Sequence, residues 1–260
     1  MTSHVDYLLH LADNALVLGQ RNAEWCGHGP VLEEDIALAN VSLDLIGQAR
    51  LLYQLAAQLS GGEVSENTLA YFRDVADFRN YTLLELPHHG PLAANAAADR
   101  DYATTIVCNF LYSALMALLW EALQKSQDAQ LAAIAAKSQK EVRYHLRYSR
   151  DWLLRLGDGT EESHRRAQAA LDHLMPYTQE FWIDSQPESE ASAAGVGVDL
   201  KSLKADWDSI VDQALREATL DRSTAAGYLS QGKMGQHSEH LGYLLGEMQS
   251  LPRAHPDGCW

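Results

Sequence analysis

Cysteine is nearly missing from this sequence. Cys26, Cys108 and Cys259 are odd in number, far apart and never form a CxxC pair, a usage that fits a reduced cytoplasmic chain rather than a disulfide framework. Basic residues are scarce as well: 20 Lys and Arg against 35 Asp and Glu give a formal charge of −15. A phosphate backbone or an anionic membrane surface would be repelled, so neither nucleic acid nor a membrane is an expected partner. The most apolar run, NFLYSALMALLW, is too short to span a bilayer, and the opening MTSHVDYLLHLADNALVLGQR carries His and Asp where a signal peptide would be apolar. Alternation of period two is almost absent, which removes strands as the main element, and no repeat of solenoid period occurs.

What remains is helical. Apolar residues recur at spacings of three and four along almost the whole chain, predicting helices at about 4–25, 31–59, 65–79, 92–125, 128–156, 160–182, 199–219 and 237–250. The breaks carry turn chemistry: CGHGP, SGGEVSE, LPHHGP, LGDGT, the polar stretch DSQPESEASAAGVGVD, and SQGKMG. Asp128 and Thr160 stand where N-caps are wanted, and Gly157 where a left-handed C-cap is wanted. The 31–59 helix would be roughly 43 Å long, and two others approach it. The reading is therefore all-α, a bundle of long antiparallel helices with additional C-terminal helices. With 260 residues and 47% hydrophobic content, one domain over 1–260 is expected.

Polar residues on apolar helices are the informative exceptions, because a buried carboxylate needs a partner. Asn40, Asp44 and Gln48 follow one another at i, i+4, i+8 on the second helix, and Lys137, Glu141 and His145 do the same on the fifth. Ferritin-like carboxylate proteins hold two irons with a Glu from each of two helices and a Glu-x-x-His from each of the other two. That pattern does not close here. The residue three after Asp44 is Gly47, the residue three after Glu141 is Tyr144, and the fourth helix offers Thr104, Thr105, Cys108, Asn109 and Tyr112 but no carboxylate before Glu121. The six ribbon residues are read as a hydrogen-bonded polar core at a degenerate di-iron position, with Lys137 or His145 supplying positive charge and no metal bound. His237 and His240, at i, i+3, have metal-compatible spacing but only Glu239 nearby, and are read as caps and hydrogen bonds. His88 and His89 fall in a Pro/Gly loop and are expected to be solvated.

Three long stretches carry a resemblance to a known family: LADNALVLGQRNAEWCGHGPVLEEDIALANVSLDLIGQARLLY, KEVRYHLRYSRDWLLRLGDGT, and GQHSEHLGYLLGEMQSLPRAHPDGCW. Over nearly the whole chain the sequence resembles the C subunits of bacterial phenylacetyl-CoA epoxidases, also called ring 1,2-phenylacetyl-CoA oxygenases, among the phenylacetate catabolic proteins. The resemblance implies a ferritin-like, non-catalytic structural subunit that binds and supports a catalytic A subunit in aerobic phenylacetate degradation. It further implies that the di-iron centre lies in A, and that NADPH, FAD and an iron–sulfur cluster serve the reductase. This chain would then hold no cofactor and no catalytic residue. One region is a candidate contact for phenylacetyl-CoA at a subunit junction. Arg73 and Arg79 stand out in an acidic chain beside Asp77, Phe78 and Asn80, and arginine charge with an aromatic face suits the phosphates and adenine of CoA. Two other classes compete: a di-iron enzyme in its own right, and a generic helical scaffold.

Overall fold

The computed structural model describes residues 3–61, 64–89, 100–224 and 229–258. Among them all regular structure is helical: α1 (Ser3–Ala23), α2 (Leu32–Leu59), α3 (Glu66–Tyr71), α4 (Thr82–Glu85), α5 (Tyr102–Leu123), α6 (Ala129–Gly157), α7 (Glu161–Leu174), α8 (Gln186–Ala193), α9 (Lys204–Glu217) and α10 (Glu239–Ala254), with short 3-10 turns between. The chain forms two compact units. Unit 1 comprises Met1–Pro87, Ser185–Gly197 and Ser230–Trp260; unit 2 comprises His88–Asp184 and Val198–Leu229. Each is built on one hairpin of long helices, α1 with α2 and α5 with α6, and such hairpins are the elements of a ferritin-like bundle.

In unit 1 the hairpin closes tightly at Gly19. A Cβ there would lie 3.2–3.4 Å from Ile46, Leu45 and the Ser42 carbonyl, and the Ser42 hydroxyl donates to the Gly19 carbonyl at 2.5 Å. In unit 2 the core helix is α5, buried on every face. It is long and apolar enough to cross a bilayer, which corrects the expectation from its short apolar run, yet most of that apolar window is covered by α6, α7 and α9. Trp207 of α9 donates its indole N–H to the Leu111 carbonyl at 3.1 Å and meets Trp182 edge to face at 5.4 Å.

Several expected boundaries hold. Asp128 caps α6 through the Gln130 and Leu131 N–H groups, and Thr160 forms a capping box with Ser163 on α7. Gly157 differs: it ends α6 with no positive φ. Glycine is needed there because a Cβ would fall 2.1 Å from the Ala218 carbonyl. The helix expected over 65–79 stops at Tyr71, and the one expected over 160–182 turns 3-10 at Met175, with Pro176 just inside the turn. Helix α8 lies in the stretch read as a connector. The expected start at residue 92, and Cys259, lie outside the described residues.

Candidate functional site

Residues 72–81 have no regular structure beyond the 3-10 turn Val75–Asp77, yet Arg73, Phe78, Asn80 and Tyr81 are buried. Backbone groups removed from water without a helix or ladder must find side-chain partners. One face of α1 supplies them. Asp13 accepts the Arg79 N–H at 2.8 Å, Asn14 accepts the Tyr81 N–H at 2.7 Å, and His10 Nδ1 donates to the Arg79 carbonyl at 2.6 Å. Farther along, Arg21 donates Nε and Nη2 to the Glu85 carbonyl at 3.1 and 2.5 Å. The C-terminal segment adds His237, whose Nε2 donates to the Phe78 carbonyl at 2.9 Å, and Gln249, which donates to the Ala70 and Arg73 carbonyls at 3.3 and 3.1 Å.

Three buried ion pairs of unit 1 anchor this scaffold. In the first, Arg73 grips both oxygens of Asp13, which is fully buried, and the Tyr53 hydroxyl donates to Asp13 Oδ1 at 2.5 Å. The guanidinium also donates to the Leu69 and Asp77 carbonyls and lies 4.3 Å from the Phe78 ring centre. Burial alone would lower the Arg73 pKa, but the Asp13 charge and hydrogen bonds together with Tyr53 and Asp77 outweigh it and hold the guanidinium above its ordinary value. Burial, reinforced by Asp13, pushes the Tyr53 phenol well up, so it remains a donor.

The second pair joins Glu85 to His237. His237 Nδ1 donates to Glu85 Oε2 at 2.7 Å, and the other oxygen accepts the Ser238 N–H at 2.6 Å. The Asn80 amide donates to Oε2 at 2.9 Å. With both ring nitrogens facing acceptors, the imidazole is held as the cation. Burial works against that charge, but the Glu85 hydrogen bond and charge outweigh burial and raise the pKa above 6.5. In the third pair, Lys233 Nζ reaches both oxygens of Glu188 at 2.8 and 3.1 Å, while Glu188 also closes the Ser185 capping box of α8. His10 lies beside this pair, and burial holds its pKa below the ordinary value despite the Glu188 charge.

Each of these three buried carboxylates thus carries its own cation, an arrangement suited to holding an irregular segment in one shape. Among the described residues no group of three or more His, Cys, Asp and Glu could hold a metal ion. The donor set therefore does not fit a di-iron centre. A Cβ placed on Gly47 would meet only open space, Tyr144 is exposed, and the polar groups Thr104, Thr105 and Asn109 of buried α5 are neutral.

The ribbon residues fall in different settings. On α2 of unit 1, Asn40 is exposed, Asp44 half-buried and Gln48 buried. On α6 of unit 2, Lys137 is 56% exposed and pairs at 3.1 Å with Glu141, itself 19% exposed, while His145 is buried. The expectation of uniform burial gives way at Asn40 and Lys137. The five residues proposed to meet CoA are also unequal. Arg73, Phe78 and Asn80 are buried and engaged inside unit 1, Asp77 is exposed, and Arg79 is half-buried with Nη1 on the Ala76 and Phe78 carbonyls. His88 is buried rather than solvated, and His237 takes part in an ion pair and not merely a cap.

The sequence pattern did not single out Asp13, Glu188 or Lys233. A signal existed for the first: His10, Asp13 and Asn14 share a face at i, i+3, i+4 in the middle of a helix that is apolar between Tyr7 and Leu18 at its other positions. Two comparisons bear on the whole chain. A family model described as "Phenylacetic acid catabolic protein" matches residues 1–260. The chain is also 44% identical, over 254 residues and 98% of each sequence, to the C subunit of the 1,2-phenylacetyl-CoA epoxidase of Escherichia coli (strain K12).

Proposed function

Because this chain belongs to the phenylacetic acid catabolic protein family, we propose that it is a non-catalytic subunit of a phenylacetyl-CoA epoxidase, a cytoplasmic structural partner of the catalytic A subunit. The observation that carries the non-catalytic part is the donor set: α5 presents no interior carboxylate, and the carboxylates Asp13, Glu85 and Glu188 buried in unit 1 are each joined to a cation of this chain. In this reading the di-iron centre belongs to A, and NADPH, FAD and the iron–sulfur cluster belong to the reductase. Of the five residues read as a CoA contact, Arg79 and Asp77 keep some exposure, while Arg73, Phe78 and Asn80 are buried.

Co-expression with the A subunit, affinity capture, and an assay of phenylacetyl-CoA-dependent NADPH oxidation with the reductase test the assignment. The expected result is a stable complex whose activity requires A, with Arg79→Ala raising the KM for phenylacetyl-CoA while leaving the complex intact. Activity from this chain and reductase without A would overturn the assignment. An unchanged KM would remove the CoA contact alone.

A further inference from the structure

Helix α2 leaves one apolar face uncovered. Leu32, Ile36 and Leu43 are 71, 51 and 67% exposed, and at 100° per residue they fall within about 40° of one another around the helix axis. Scattered exposed leucines need no explanation, but three aligned on one helix face form a seam. The seam does not stop at Leu43. One and two turns farther on, Ile46 and Arg50 line a groove of about 870 Å³ whose other walls include Leu16, Tyr71, Met248 and Leu251, all in unit 1. From Leu32 to Arg50 the surface runs roughly 27 Å, the length of a five-turn helix. An apolar stripe leading into a groove of mixed lining, with Leu16, Met248 and Leu251 beside Gln20, Asn67 and Glu247, is a geometry that receives an amphipathic helix.

Charge decides the occupant. The first turn of α2 carries Glu33, Glu34 and Asp35, Glu247 lines the groove, where Glu66 is paired with Arg50, and the whole chain carries −15. A second copy would bring acidic rim against acidic rim, whereas a partner helix flanked by Lys and Arg would be complementary. We infer that the Leu32–Leu43 stripe and the groove beyond it dock an apolar, basic-rimmed helix of the epoxidase's A subunit. This rests on the subunit assignment above and adds to it the surface and the chemistry of the partner.

The test measures the affinity of the full-length chain for purified A subunit, for wild type, Leu32→Glu, Leu43→Glu and the control Leu229→Glu, which alters an exposed apolar residue of unit 2. Each stripe variant should raise Kd by about 30-fold or more, the scale of an interface hot spot, with the control near wild type. Stripe residues are exposed, so the isolated variants should melt with wild type. If Leu43→Glu fails to fold, the milder Leu32→Ala and Leu43→Ala pair reads the same surface. Glu33→Lys should weaken binding further at low salt. Wild-type affinity in the stripe variants overturns the docking surface and leaves the subunit assignment standing; no binding of A by wild type overturns the assignment itself. A self-associated wild type that the stripe variants render monomeric identifies a second copy as the occupant and also overturns the inference.

Discussion

His237 illustrates how a single residue is read by its acceptors. Its two nitrogens point at the Glu85 carboxylate and the Phe78 carbonyl, so folding favours the charged ring and raises its pKa above 6.5. The sign follows from linkage: the pair contributes its full stability below the unfolded-state value and loses it as pH rises through the raised folded-state value. His10 has the opposite sense, since burial keeps it neutral, and it weakens the fold as pH falls below 6.5. That effect is common to wild type and to His237→Gln and cancels in their difference. The melting-temperature gap between the two proteins should therefore be wider near pH 5.5 than near pH 9. A gap that widens with pH would contradict the cationic assignment.

The segment between α3 and α4 behaves as one element because its backbone is held by polar and charged side chains from α1 and the C-terminal region. Arg73→Ala would leave Asp13 buried without its cation, and breaking a buried pair costs about 3–5 kcal/mol. Replacing Asp13 and Arg73 together by apolar residues should cost less than the sum of the single changes, since the two act as one unit. Denaturant unfolding of the four proteins checks this, and additive losses would mean that the pair is not coupled. Helix periodicity made most of the long elements legible in advance, with Asp128 and Thr160 marking true starts. It could not reveal where α3 ends, because the termination comes from Arg73 turning inward to a carboxylate sixty residues away in sequence. Helix α8 carried a legible N-terminal signature in Ser185, with Glu188 three residues later and Pro187 in the first turn. The polar composition of the surrounding stretch masked it.

For the molecule as a whole, the all-α class and the family were readable from periodicity and from long matching stretches, while the buried ionic scaffold was not. Pairings such as Glu85 with His237 and Glu188 with Lys233 join distant parts of the chain, and nothing in local spacing encodes them. The ribbon on α2 and α6 was visible for the opposite reason, since i, i+4 spacing is local, but spacing does not tell an exposed Lys137 from a buried His145. The count of missing ligands, by contrast, needed only sequence: Gly47 and Tyr144 stand three residues after Asp44 and Glu141, and no carboxylate precedes Glu121 on α5. The most direct measurement of the central claim is the iron content of the isolated chain after anaerobic loading with Fe(II) and removal of free metal. A subunit whose donors do not fit a di-iron centre retains iron only far below one per chain, unchanged in Glu141→Ala; near-stoichiometric iron that Glu141→Ala abolishes would contradict it.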